Sequence, residues 1–361
     1  MEITDVRNVL VIYHREDNDG VCSAAIISQF IKNFGNPTAN IKFFGCNYAE
    51  LSTIWNDHQA FVVQQVQHKI NPPQKISMTK DKLNSWVTNY DMIFMVDISF
   101  NEADAMEYLY DSMPANNFVW CDHHLPIIEF SNRYATIYKF GKTPGIRRTD
   151  QSALLNTWDY MTEVSNTDIQ PSRVLVMLSD YDSWAWTRKD EYVGDNKDKL
   201  FAINTGFTRR SNLKVKWFEN YINTILIDNL ALRYAIEVDC LEYGTIILKY
   251  DRERNTRAIK SHGDTSWTLG GEKACAIFTT DRFNSQSFTN VFAGTDIEHG
   301  IVFKREPDGR WVLGAYNVSE DTDFDCGAYL KTNYSGGGHK GAAGCTITQN
   351  QFIEMLTSHQ V

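Results

Sequence analysis

The chain has 361 residues, 43% of them hydrophobic and 22% charged, which excludes a disordered polymer and supplies enough apolar material for two packed cores. A single core seldom grows so large, so two domains are expected. Asp and Glu outnumber Lys and Arg by 45 to 35, leaving a net charge of −10. That balance excludes a protein whose main affinity is a basic surface for long duplex DNA. Seven cysteines without a CxxC pair argue for reduced, buried thiols rather than a disulfide framework or a Cys-rich zinc site. The segment MEITDVRNVL places acids where a signal peptide needs basic residues, and no apolar run approaches about 18 residues. A soluble cytoplasmic protein with no membrane partner is expected.

In chain order, the first strong signal is Val9–Tyr13 (VLVIY), a β-branched apolar run that fits a strand buried on both faces. After a polar turn, Val21–Ile31 reads as a helix of small and apolar residues. Ile41–Cys46, Met92–Val96, Phe118–Cys121 and Tyr134–Phe140 look like further strands, with helical stretches around a Pro72-Pro73 break between the second and third. Gln151–Met161 reads as a helix, and Pro171 opens another whose apolar side is Val174, Leu175, Met177 and Leu178. Residues 190 to about 217 look polar and irregular, and Phe218–Ala235 looks helical. Thr245–Lys249, Ala274–Phe278, Gly300–Lys304 and Trp311–Ala315 follow as short strands with turns such as Pro307-Asp308-Gly309. The expected organisation is a domain over 1–190, a connecting segment over 191–235 and a second domain over 236–361. The fold class is α/β: a mostly parallel sheet flanked by helices, then a smaller α/β domain, with the active site in the cleft between them.

Ionisable residues gather where the expected strands end. His14-Arg15-Glu16-Asp17-Asn18-Asp19-Gly20 follows the first, Asp97 the Met92–Val96 strand, and Asp122-His123-His124 the Phe118–Cys121 strand; Asp180-Tyr181-Asp182 ends the Pro171 helix. In an open parallel sheet, the carboxyl ends of the strands form the crevice where ligands bind. A lone Asp there is most often a cap or turn residue, but four such clusters on separate elements point to one shared site. Imidazole and carboxylate donors without thiolate suit Mn²⁺ or another borderline divalent ion. Six or more donors suit two ions sharing a carboxylate, a centre that makes hydroxide available at neutral pH and clamps phosphoryl oxygens. Near the C-terminus, Gly336-Gly337-Gly338-His339-Lys340-Gly341-Ala342-Ala343-Gly344 offers backbone N–H groups and positive charge for a phosphate, with small residues permitting close helix packing behind it.

HREDNDG, VDIS, CDHH and LSDYD in that order, closed by GGGHKGAAG, resemble the DHH phosphoesterase superfamily with its DHH-associated C-terminal domain, most nearly the nanoRNase branch that degrades short oligonucleotides. The resemblance spans nearly the whole chain. It implies that His14, Asp17 and Asp97 hold one Mn²⁺ and that Asp19, Asp97, His123 and Asp180 hold the second, with Asp97 bridging. Spacing alone leaves Asp180 and Asp182 open as that last ligand; alignment with the family favours Asp180. It further implies that His124 contacts the scissile phosphate, that Asp122 orients its imidazole neighbours, and that Gly336, Gly337, Gly338, His339 and Lys340 hold a substrate phosphate. The comparable strand of relatives often carries an Arg; here Gly314–Ser319 has none.

His58, His68, His262, His299 and His359 lie outside these clusters and read as surface or hydrogen-bonded residues. Arg147-Arg148 and Arg209-Arg210 read as solvated pairs, while Trp184 or Tyr334 could stack on a base. The expected function is a Mn²⁺-dependent phosphodiesterase that hydrolyses short oligonucleotides or dinucleotides to nucleoside monophosphates. The alternatives are cyclic dinucleotides, 3′-phosphoadenosine 5′-phosphate or inorganic polyphosphate on the same centre, or a non-catalytic nucleotide sensor. Homodimerisation is left open.

Overall fold

A computed structural model describes residues 3–70, 81–281, 283–306, 309–319 and 322–361. The Pro72-Pro73 break, and Pro307 and Asp308 of the expected turn, lie outside the described residues. The chain divides into two compact units, Met1–Ile247 and Leu248–Val361. All seven cysteines are free and buried, and among the described residues no helix is long and apolar enough to cross a membrane.

The first unit contains β1 (Asn8–His14), α1 (Asn18–Phe34), β2 (Asn40–Cys46), α2 (Tyr48–Ile70), α3 (Lys82–Asn89), β3 (Met92–Val96), α4 (Ala103–Ser112) and β4 (Phe118–Cys121). It continues through α5 (Leu125–Arg133), α6 (Ala153–Ser165), α7 (Arg173–Asp182), α8 (Asp195–Ser211) and α9 (Val215–Leu226) into α10 (Leu230–His262), within which the division falls. The four strands form a parallel sheet in the order β2-β1-β3-β4. Because the chain steps from β1 outward to β2 and then back across to β3, its direction reverses between β1 and β3. That is where an open α/β sheet offers a crevice at its carboxyl edge.

The continuous apolar runs are explained by burial on both faces. Val9 and Val11 of β1, Phe94 and Val96 of β3, and Val119 of β4 pack into one core with α1, α6, α7 and α9. Leu10 and Ile12, Ile93 and Met95, and Trp120 enter the opposite core with α2 to α5.

Four expectations along this unit are corrected. Residues 134–140 are not a strand: positions 132–137 are exposed, and the outer edge of β4 is met instead by Pro144 and Ile146, whose carbonyls accept from the Trp120 and Asp122 N–H groups. The 191–235 stretch is no connector, since α8 and α9 bring Ile203, Phe207, Phe218, Tyr221 and Ile222 into the first core. The helix expected over 218–235 is two, α9 and the start of α10, separated where Asp228 turns left-handed at φ 52°. Thr245–Lys249 lies inside α10, not in a strand. There a Cβ on Gly244 would stand 1.9 Å from the Ala202 carbonyl oxygen, a helix-against-helix approach that tertiary packing imposes over β propensity.

The second unit is built on β5 (Asp264–Leu269), β6 (Glu272–Phe278), α11 (Ser285–Phe292), β7 (His299–Arg305), β8 (Trp311–Asn317), α12 (Cys326–Tyr334), β9 (Gly337–His339), β10 (Ala342–Ile347) and α13 (Gln349–Ser358). Its sheet runs β5-β6-β7-β8-β10-β9, with β6 and β7 parallel and every other pair antiparallel. Ala274, Ala276, Ile301 and Phe303 face one core, and Cys275, Ile277 and Val302 the other.

Candidate metal centre

Three strand ends and two helix ends deliver the site. His14 is the last residue of β1, and Asp17 is the N-cap of α1, its Oδ1 accepting the Gly20 N–H at 3.0 Å. The cap needs Gly20: a Cβ there would meet the His14 carbonyl oxygen at 2.1 Å. Gly20→Ala should therefore lose about 3 kcal/mol or more, read as a fall in urea midpoint, because β1 and α1 must separate. Asn18, also buried, donates through Nδ2 to the Asn204 carbonyl, Asn204 Oδ1 and Thr208 Oγ1, so α8 braces the motif from behind. Asp19 accepts from Ser152 Oγ and from the Ala153 and Leu154 N–H groups at the start of α6, a favourable place for a carboxylate.

Asp97 follows β3 in a left-handed conformation, φ 56°, which Asp tolerates better than most residues. It is buried, and its Oδ2 has no hydrogen-bond partner. His14 Nδ1 lies 2.6 Å from Asp17 Oδ2 and 3.6 Å from Asp97 Oδ2. His123 Nε2 lies 3.3 Å from Asp97 Oδ1, 3.2 Å from Asp182 Oδ2 and 3.7 Å from Asp19 Oδ2. Three sets of donor atoms result, each within 4.8 Å: His14 with Asp17 and Asp97; Asp97 with His123 and His124; Asp19 with His123 and Asp182. Asp97 and His123 each belong to two sets.

Asp180 is the sequence expectation that the geometry does not bring in. Its carboxylate turns away, accepting from Lys189 Nζ at 2.6 Å and from the Tyr192 hydroxyl at 2.7 Å. Two residues along a helix rotate a side chain by about 200°, so Asp182 faces the cluster because Asp180 does not. Sequence reasoning also passed over Tyr48, whose ring centroid is 5.9 Å from that of His124, edge-on, and 6.2 Å from that of His14. Its only signal was its position just beyond β2, at the same sheet edge as the other clusters.

The electrostatics fit a cation site. Burial, then the charges of Asp19 and Asp17, push the Asp97 carboxyl well above the usual range; Asp182 is raised by burial and by Asp19, Asp17 and Asp97. Burial opposes a charged His14, but Asp17 and Asp97 outweigh it and push the imidazole up to about 11. His123 and His124 likewise rise against burial, under Asp19 and Asp122 respectively. Buried anions thus outnumber their partners, and protons stand where cations would be more stable. The orphaned Asp97 oxygen and the thiolate-free donor set fit borderline divalent ions.

Asp122 plays a different part. Fully buried, it accepts the His123 N–H, the His124 N–H and His124 Nδ1 on Oδ1, and the Trp120 indole N–H on Oδ2. With Nδ1 of His124 so engaged, Nε2 is the nitrogen left to meet a ligand. Burial would raise the Asp122 carboxyl, but His124 dominates and holds it near about 2. The folded value lies below the ordinary one, so its contribution, on the order of 2 kcal/mol, is present above about pH 4 and lost as pH falls through 2. Asp122→Asn should flatten the stability of the metal-free protein over that acid range in circular-dichroism titrations.

Within the second unit, the GGGHKGAAG motif is a β-hairpin rather than an open loop. Gly337–His339 form β9, and Ala342, Ala343 and Gly344 lie in β10, paired with β9 and β8. The small residues do permit close helix packing: α12 lies against β9 and β10, and a Cβ on its Gly327 would stand 2.5 Å from the Gly338 carbonyl oxygen. Gly336 donates to the Leu330 carbonyl, and Lys340 stands exposed at the hairpin tip. Arg147 is not a solvated residue: it donates to the Trp120 and Gly141 carbonyls.

Residues 8–149 match the family described as DHH family, N-terminal domain. The chain carries a DHH-family domain. Members of this family are metal-dependent phosphoesterases. No curated protein matches the chain closely enough to count as a relative. Among solved structures, the DHH domain of a member of a family of ribosomal proteins aligns over 98% of this chain and 85% of its own, at 11% identity and a TM-score of 0.51, a likeness of fold. RecJ of Thermus thermophilus, in complex with Mn²⁺, aligns at 13% identity over 98% of this chain and 51% of its own, TM-score 0.47. A pGpG-specific phosphodiesterase of Vibrio cholerae aligns at 12% identity over 98% and 97%, TM-score 0.39. The DHH-family match ends at residue 149, so Asp182 lies beyond it and joins the cluster on geometry alone.

Proposed function

We propose that the DHH-family domain hydrolyses phosphodiester bonds in short oligonucleotides or dinucleotides, as the nanoRNase branch does, and releases nucleoside monophosphates. The observation that carries this reading is Asp97: a buried carboxylate shared by two donor sets, one oxygen without a partner. His14, Asp17 and Asp97 would hold one divalent ion, Mn²⁺ by donor chemistry, and Asp19, Asp97, His123 and Asp182 the other. Bound there, such ions supply Lewis-acid charge and lower the pKa of water. His124, fixed by Asp122 through Nδ1, presents Nε2 to the leaving oxygen and can deliver its proton. Asp19, tied to the start of α6, keeps its donor atom in place while the substrate comes and goes. Nucleotides are favoured over polyphosphate because a net charge of −10 does not encourage the dense basic channel that polyphosphate needs, and because partly exposed Trp184 stands two residues beyond Asp182.

The test is a side-by-side assay with Mn²⁺ on dinucleotides, longer oligomers, cyclic dinucleotides, 3′-phosphoadenosine 5′-phosphate and polyphosphate. Dinucleotides should lead. A ranking led by polyphosphate overturns the substrate, and tight nucleotide retention without product favours a sensor.

A further inference from the structure

Tyr48 borders the metal centre and belongs to none of its donor sets. It is the first residue of α2, and a capping box fixes that helix start: Asn47 Oδ1 accepts the Glu50 N–H at 3.1 Å, and Glu50 Oε2 accepts the Asn47 N–H at 3.0 Å. The other Glu50 oxygen accepts from Arg15 Nη1 at 3.1 Å, and Glu16 Oε1 accepts from Asn47 Nδ2 at 3.2 Å. The turn that leads to Asp17 and Asp19 is thereby tied to the cap that presents Tyr48. From this anchor the ring reaches two imidazoles, edge-on to His124 and tilted against His14, with centroids 5.9 Å and 6.2 Å away. Both imidazoles also flank Asp97, His14 Nδ1 at 3.6 Å from Oδ2 and His124 Nδ1 at 3.9 Å from Oδ1. Tyr48 therefore stands at the rim of the shared carboxylate.

Among the described residues, the Tyr48 hydroxyl has no hydrogen-bond partner, although a Tyr hydroxyl inside a protein ordinarily finds one. Burial first, then the charges of Asp122, Asp97 and Asp17, hold it protonated far above neutral pH, so it offers a proton to an incoming anion. Such donors are scarce here. The donor sets are carboxylates and imidazoles, and nearby cations are engaged: Arg15 with Glu50 and the Gly45 carbonyl, Lys189 with Asp180, and Arg147 with the Trp120 and Gly141 carbonyls. A phosphodiester carries two non-bridging oxygens, and stabilising their charge is the main task in its displacement.

We infer that Tyr48 is a catalytic residue whose hydroxyl donates a hydrogen bond to a non-bridging oxygen of the scissile phosphate. The inference rests on the reading that this centre hydrolyses phosphodiesters. No bond is made or broken at Tyr48. Its proton stays on the phenol oxygen while a water oxygen bonds phosphorus and the leaving oxygen departs with the proton from His124.

Tyr48→Phe in the full chain keeps the ring against both imidazoles and deletes only the hydroxyl. On a dinucleotide with Mn²⁺, the variant should lose about 100-fold in kcat with melting temperature and Mn²⁺ uptake retained. Its calorimetric Kd for AMP should rise about tenfold. Phosphorothioate dinucleotides give a second readout, because sulfur accepts hydrogen bonds weakly. The diastereomer whose sulfur meets Tyr48 should slow the wild type about tenfold and leave Tyr48→Phe at its own oxygen-substrate rate. A packing role alone would move neither the AMP affinity nor the sulfur effect. Tyr48→Phe turning over at the wild-type rate, or keeping the wild-type sulfur effect on both diastereomers, overturns the inference and leaves the phosphodiesterase reading standing. A wild type inactive on every phosphodiester rejects that reading and the inference with it.

Discussion

Asp97→Asn should abolish Mn²⁺-dependent turnover, a loss exceeding the roughly 10–100-fold that follows removal of an outer-shell partner, and yet raise the melting temperature of the metal-free protein. The two effects share one cause. Burial and the neighbouring Asp19 and Asp17 charges lift the Asp97 carboxyl well above its ordinary range, so at neutral pH its ionised form opposes folding. Asparagine removes that charge while tolerating the left-handed backbone that the position demands. With divalent ion present the order reverses, because the wild type gains the binding free energy of a ligand that prefers the native state and the variant does not. Melting curves with and without Mn²⁺ should cross between the two proteins. A variant that melts higher on metal addition by as much as the wild type does, or that still turns over, would remove Asp97 from the centre.

The strand-end chemistry was legible in the sequence because both-face burial leaves an unmistakable mark. VLVIY, MIFMV and FVWC are continuous apolar runs, and each stops at the residue where the donors begin. What could not be read was phase and packing. The choice between Asp180 and Asp182 depends on how α7 is rotated, which Lys189 and Tyr192 fix from a segment seven to twelve residues away. Helix α8 opens with the polar run Asp195-Asn196-Lys197-Asp198-Lys199, which hid the period of Leu200, Ile203 and Phe207, spaced as one buried helical face. TIILK carries strand propensity, yet belongs to a 33-residue helix because the close approach of α8 decides its state. The glycine motif was read as a loop because glycine signals turns; its pairing with β8 is a long-range fact that composition does not carry.

The sharpest contrast lies two residues apart. Asp182→Asn should cost activity by at least about 100-fold and weaken Mn²⁺ uptake, since its Oδ2 lies 3.2 Å from His123 Nε2 and burial with Asp19, Asp17 and Asp97 raises its carboxyl well above the usual range. Asp180→Asn should leave metal uptake near the wild-type level and destabilise the fold by about 1–2 kcal/mol: the usual 3–5 for breaking a buried pair is reduced because Lys189 is 41% exposed and recovers solvent. Urea midpoints and Mn²⁺ titrations on both variants separate the roles, one moving stability and the other uptake. The reverse assignment would mean that α7 presents its other face, and the Tyr192 and Lys189 contacts would then have to break for the centre to form. In that case adding Mn²⁺ would expose Lys189 to proteolysis or acylation. If Asp180 is structural, the ion leaves its reactivity unchanged.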